Sequence, residues 1–222
     1  MGEFLVKIKS IEKITHDVNK IKIERPAGYD FIPGQATDVA INTADYKNEK
    51  RPFTFTGLTD WNELEFIIKS YNDHDGITKK IGELKPDNEL LIGEPWGAIN
   101  YNGQGMFLAG GAGITPFIAI LRDLKKKKRL PGHLLFFSNK TESDIILKEE
   151  LTEMLGNSFV NLLTRERSKD YYFGRIDEAF LRMWIVDVVQ SFYVCGPEGF
   201  VKDINSILTR LGAKADSIII EQ

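Results

Sequence analysis

The stretch Met106-Phe-Leu-Ala-Gly-Gly-Ala-Gly-Ile-Thr-Pro-Phe-Ile-Ala-Ile-Leu121 decides how the chain is read. Its apolar opening predicts a buried strand over Met106–Ala109. Gly110, Gly111 and Gly113 predict a turn, and the apolar spacing that follows predicts a helix over Ile114–Lys128. Pro116 is tolerated in the first turn of such a helix, where no backbone donor is needed. Strand, glycines and helix together make the geometry in which backbone N–H groups meet a phosphate. The same residues also fit a tight turn that packs a helix on a strand. The loop has no lysine after its last glycine, as a P-loop would, and it does not follow the G-x-G-x-x-G spacing. The next strand ends "FFSNK", with no carboxylate for a ribose diol.

Downstream, strands and helices alternate, which implies a parallel sheet. Strands are expected at His133–Phe137, Val160–Leu163, Phe192–Val194 and Ser217–Ile220. Helices are expected at Ser143–Leu155, Ile176–Met183 and Glu198–Leu211. Upstream the rhythm is different. Phe4–Ile14, Val18–Glu24, Thr37–Ile41, Pro52–Leu58, Leu64–Ser70 and Glu89–Ile92 read as short strands separated by turn chemistry such as "DFIPGQ" and "LTDWNE". So many short strands in succession suggest an antiparallel barrel or sandwich, interrupted only by "GITKKIGEL", which looks like a short helix. The change of rhythm follows "EPWGAINYNGQG" and places a domain boundary near Gly103, dividing residues 1–103 from 104–222.

Composition bounds the chemistry. The 222 residues are 42% hydrophobic and 27% charged, as in an ordinary globular protein. One cysteine and three histidines exclude a four-thiolate cluster, a Cys/His zinc site and a disulfide framework within this chain. A formal net charge of −3 argues against broad nucleic-acid binding. The alternating "MGEFLVKIKSIEK" reads as a strand, not a signal peptide, and no apolar run approaches the ~20 residues of a membrane span. A cytoplasmic location is expected.

The lone thiol stands in "SFYVCGPEGF", where a strand pattern ends at Cys195 and Gly196–Pro197 break it. With no partner cysteine, Cys195 is left as inert packing, a nucleophile or a small soft wall for a ligand.

Four motifs now stand in order: "RPFTFTG", "GITKKI", "GGAGITP" and "CGPEGF". Together they resemble the ferredoxin–NADP reductase family of flavoproteins across nearly the whole chain, closest in organisation to flavodoxin reductases and the flavin–nicotinamide halves of oxygenase reductases. The resemblance implies an antiparallel β-barrel FAD domain followed by an α/β doubly wound parallel-sheet NAD(P) domain. Hydride would pass from nicotinamide to flavin, and electrons would go on to a small carrier protein such as flavodoxin or ferredoxin, or to another acceptor. A free-flavin reductase, and a sensor or adaptor that keeps the fold without turnover, are the alternatives.

The resemblance implies FAD contacts at Arg51, Pro52, Phe53, Thr54, Ile68, Lys69, Gly76, Ile77 and Thr78. Arg51 would fork onto the pyrophosphate, and the Thr54 hydroxyl would face flavin N5. Phe53 stands where the family has tyrosine, keeping the ring and losing a hydroxyl. By itself "HDGIT" is a helix N-cap turn, and Arg51 a surface residue. Nicotinamide contacts are implied at Gly110, Gly111, Gly113, Ile114, Thr115, Pro116, Cys195, Gly196 and Pro197, with Cys195 beside the hydride-donating carbon. The stretch "LLTRERSKDYYFGRI" resembles the family's Ser/Thr-Arg-Glu segment. It implies a 2′-phosphate at Thr164 and Arg165, with Arg167 and Lys140 as helpers, so NADPH is favoured over NADH. No aromatic residue follows Phe200 to cover the flavin, as one does in many members. Glu221 matches a terminal carboxylate that relays protons in some of them. The cations of "LRDLKKKKRL" read either as a solvated helix end or as a docking patch for an acidic carrier.

Overall fold

The computed structural model describes residues 2–71, 76–97 and 99–220. Alternation of inward apolar and outward charged residues drives the first half into strands: in β1 (Phe4–Lys13), Val6 and Ile8 are buried while Lys7 and Lys9 face out. It is followed by β2 (Val18–Glu24), β3 (Ala36–Ile41), β4 (Arg51–Thr54), β5 (Glu63–Lys69), the short helix α1 (Ile77–Gly82) and β6 (Glu89–Ile92). The strands form one antiparallel sheet in the order β4-β3-β6-β1-β2-β5. An isolated Phe55–Phe66 bridge brings the two edges together, and the sheet curls into a nearly closed barrel. Its interior is filled by Val6, Ile8, Ile21, Ile23, Phe55, Leu64 and Phe66, with Phe31 stacked on Phe55 at 4.4 Å between ring centres.

The second half builds a six-stranded parallel sheet from β7 (Gly105–Gly110), β8 (Leu134–Asn139), β9 (Phe159–Leu163), β10 (Tyr172–Phe173), β11 (Ser191–Cys195) and β12 (Ile218–Ile220), in the order β10-β9-β8-β7-β11-β12. Between the strands run α2 (Thr115–Lys126), α3 (Lys148–Leu155), α4 (Glu178–Trp184) and α5 (Glu198–Arg210). Phe180 and Leu181 of α4 and Ile204 and Leu208 of α5 bury one face, against Leu108, Phe136, Leu162 and Val194. The chain proceeds outward from β7 to β10 and then jumps to β11 on the other side of β7. Ligands in such sheets bind at the strand ends beside this reversal.

Two compact units result. One comprises Met1–Ala98 with Thr115–Asp123, and the other Ile99–Ile114 with Leu124–Gln222. Among the described residues no helix is long and apolar enough to cross a membrane.

Candidate nucleotide and flavin sites

In the α/β unit the glycine loop follows β7 as a single tight turn, Gly111–Ile114. Gly111 has φ +53, a left-handed conformation costly for other residues, and nothing lies within 4 Å of where a side chain would begin. The backbone there is open to an approaching phosphate. Gly113 is glycine for the opposite reason: a Cβ would lie 2.4 Å from both the carbonyl carbon and oxygen of Cys195. The loop after β7 therefore rests directly on the turn after β11, and the two flank the strand-order reversal. Gly110, Gly111, Gly113, Ile114, Cys195, Gly196 and Pro197 all converge there. Gly110 would touch Pro197 and Phe200 if it carried a Cβ, both at 3.2 Å. Ile114 is fully buried and serves the core. The Cys195 thiol is 4% exposed and in no disulfide. Thr115 and Pro116 open α2 and belong to the barrel unit.

The ends of β8 and β9 meet through the backbone. Thr164 N–H donates to the Asn139 carbonyl and Arg165 N–H to the Lys140 carbonyl, each at 2.9 Å. The Thr164 hydroxyl also donates to Asn139 O, at 3.2 Å. Two cations, Lys140 and Arg165, are thus adjacent and exposed, and among the described residues neither side chain has an acidic partner. The acidic residues nearby are engaged. Glu166 accepts from the Glu142 N–H at 2.8 Å, while Glu142 accepts from Lys148 at 2.5 Å and from the Tyr171 hydroxyl at 2.9 Å. The Lys148 ammonium, followed by Tyr171, holds the Glu142 carboxyl below the usual carboxylate range. Arg167 lies over the Phe173 ring at 4.0 Å, a cation–π contact. Sequence reading missed this Glu142–Lys148–Tyr171 tie, because its members lie on separate segments with no fixed spacing.

In the barrel unit, β4 carries Arg51, Pro52, Phe53 and Thr54. Arg51 is exposed, and among the described residues its only hydrogen bond runs from Nη1 to the Lys50 carbonyl, at 2.8 Å. Phe53 is half-buried against the barrel core. Thr54 is 7% exposed, yet its hydroxyl has no hydrogen-bond partner among the described residues. The hydroxyl is not among the fully buried polar atoms left without a partner, so it is open to water or to a ligand. Ile68 and Ile77 point into the barrel core, so any contact they make with a ligand is through the backbone. Lys69 is paired with Asp17 at 2.9 Å. Gly76 caps α1 with open space around its Cα, and Thr78 lies in the first turn. Glu221 lies outside the described residues.

The cation run Lys125–Arg129 begins in the last turn of α2, about 15 Å along the axis from Thr115 at 1.5 Å rise per residue, and continues past its end. Lys125 pairs with Glu153 at 3.0 Å and Arg129 covers the Tyr101 ring at 5.6 Å. These contacts match the solvated helix end.

An oxidoreductase FAD-binding domain model matches residues 5–101, and an oxidoreductase NAD-binding domain model matches residues 107–206. The chain belongs to the ferredoxin–NADP reductase-like family. Its fold is that of a ferredoxin NADP+ reductase from Neisseria gonorrhoeae solved with bound FAD and NADP: the TM-score is 0.87 at 19% identity, covering 99% of this chain and 98% of that one. The reductase component of the naphthalene 1,2-dioxygenase system of Pseudomonas putida is 21% identical over 95% of this chain and 66% of its own length. NADH-cytochrome b5 reductase 2 of Mycosarcoma maydis is 24% identical over 95% of this chain and 70% of its own length. The chain spans between 41% and 66% of the length of the oxygenase reductase components it matches.

Proposed function

We propose that this chain is an FAD-dependent NAD(P)H reductase that delivers electrons to a separate protein acceptor. The observation that carries the reading is that β4 presents an exposed Arg51, whose guanidinium meets only its neighbour's carbonyl, together with a Thr54 hydroxyl that has no hydrogen-bond partner among the described residues. Arg51 would hold the FAD pyrophosphate bidentately, Phe53 would lie flat beside the cofactor, and Thr54 would donate to its N5 position. FAD held there would supply the redox chemistry, taking a hydride equivalent from nicotinamide and passing its electrons to the acceptor. Gly111 and its neighbours would receive the nucleotide phosphates through backbone N–H groups, and Cys195 with Gly196–Pro197 would wall the nicotinamide.

NADPH is the favoured donor. Lys140 and Arg165, adjacent and without acidic partners among the described residues, would supply charge for a 2′-phosphate, while Glu142 and Glu166 are already occupied. A protein acceptor is supported by the names of the relatives, which are components of oxygenase systems or cytochrome b5 reductases.

Steady-state turnover with NADPH and NADH, each with ferredoxin, flavodoxin, cytochrome b5 or free FMN as acceptor, tests both parts. The reading expects a lower KM for NADPH, faster turnover with one of the proteins than with FMN, and loss of the donor preference in Arg165→Glu. Faster turnover with free FMN than with every protein would replace the protein acceptor by free flavin. A preference for NADH in the wild type would overturn the donor.

A further inference from the structure

The two edge strands of the barrel, β4 and β5, meet just beyond Thr54. There Phe55 bridges Phe66, and Thr56 N–H donates to the Glu65 carbonyl at 2.9 Å. A charged pair is buried at this seam. Glu65 is 2% exposed, and its Oε1 accepts from the Thr56 hydroxyl at 2.9 Å and from Arg122 Nη1 at 2.6 Å. Arg122 Nη1 also donates to the Thr56 carbonyl at 2.8 Å, and its guanidinium lies 5.3 Å from the centre of the Trp61 ring. Arg122 comes from α2, in the segment Thr115–Asp123 that belongs to the barrel unit.

Stability alone does not account for such a pair. Removing two charges from water costs much of what their attraction returns, and apolar side chains of the same volume often hold a seam as firmly or more so. An apolar pair cannot fix direction, however. A guanidinium that serves one carbonyl and one carboxylate at hydrogen-bond distance admits a narrow range of geometries, and here it sets the orientation of the Thr56 peptide. Thr56 is two residues along the extended chain from Thr54, so the tie reaches the hydroxyl through a single intervening residue, the fully buried Phe55.

The structure assigns Arg122 and Glu65 as positioning residues that clamp the barrel seam and thereby hold Thr54 in place. The same clamp ties the seam to α2, whose first residues, Thr115 and Pro116, follow the glycine loop directly in the chain. The catalytic consequence rests on the reductase reading; the clamp itself does not.

The test compares the FAD-loaded wild type with Arg122→Lys and with the double variant Arg122→Met/Glu65→Leu, in which no lone charge is left buried. Thermal midpoint, amide hydrogen exchange over residues 54–66 and the rate of flavin reduction at saturating nicotinamide are measured for each. The double variant is expected to melt close to the wild type, to exchange about tenfold faster over 54–66, and to be reduced about tenfold more slowly with KM little changed. Arg122→Lys keeps the charge but replaces the planar guanidinium with a freely rotating ammonium, and is expected to fall between the two. Wild-type exchange or a wild-type reduction rate in the double variant would overturn the assignment. So would a large loss of melting temperature, which would mark the pair as a stability element. A wild-type flavin that no nicotinamide reduces would remove the reductase reading, while the exchange comparison would still decide whether the pair pins the seam.

Discussion

At the scale of single residues, the sharpest consequences concern Thr54 and His133. Thr54→Val removes the hydroxyl and keeps the shape, so FAD should stay bound while stopped-flow reduction by NADPH slows about tenfold, or ~1.4 kcal/mol of barrier. An unchanged rate would deny Thr54 its role. His133 is 2% exposed, with one ring nitrogen 2.8 Å from the Leu130 carbonyl and the other 3.0 Å from the Tyr101 hydroxyl. Burial pushes its pKa below the usual 6.5. As pH falls below 6.5 the unfolded chain takes up a proton that the folded chain still refuses, so stability declines until pH reaches the lowered folded value, then levels off. Urea midpoints at pH 8 and pH 5.5 should differ in that direction, and His133→Gln should shrink the difference. Motif order was enough to name Arg51, Thr54, the three loop glycines and Cys195 as candidates, and the structure brings the glycines and Cys195 together. The partners of His133 were not legible in the sequence, since Tyr101 reaches it across 32 residues of chain.

At the scale of elements, the contact between the loop after β7 and the turn after β11 is the tightest constraint in the α/β unit. Gly113→Ala would drive a methyl into the backbone of Cys195, which cannot yield as a flexible side chain would. Overpacking of this kind costs about 1–3 kcal/mol. Chemical denaturation should show that loss, and NADPH affinity should fall with it. Wild-type stability in this variant would mean that the two turns do not meet as described. Most strands and helices were readable from period-2 and helical spacing, and the boundaries that shifted have physical causes. The strand expected over Pro52–Leu58 ends at Thr54, because past that point the chain leaves β3 to close against β5. The helix expected from Ser143 begins at Lys148: Glu142–Asp144 forms a separate tight turn, and Leu147 takes a left-handed φ of 51° that interrupts the run. β10 is two residues long, too short for periodicity to reveal.

At the scale of the whole molecule, two family domain models, a barrel and a parallel sheet account for nearly all of the chain. The layout was legible because local rhythm changes once, from short strands to strand–helix alternation. The buried tie between Arg122 and Glu65 was not, because the two are 57 residues apart and each resembles an ordinary surface charge in its own segment. Arg51→Ala should lower FAD affinity without unfolding the barrel, measurable by equilibrium dialysis against free FAD. The assignment as an NADPH-preferring flavin reductase stands or falls on the visible spectrum of the FAD-loaded protein, recorded anaerobically as NADPH and, in a separate sample, NADH is added. The flavin band should bleach with both and faster with NADPH. A bound flavin that neither nucleotide bleaches, or a protein that takes up no FAD at all, would contradict it.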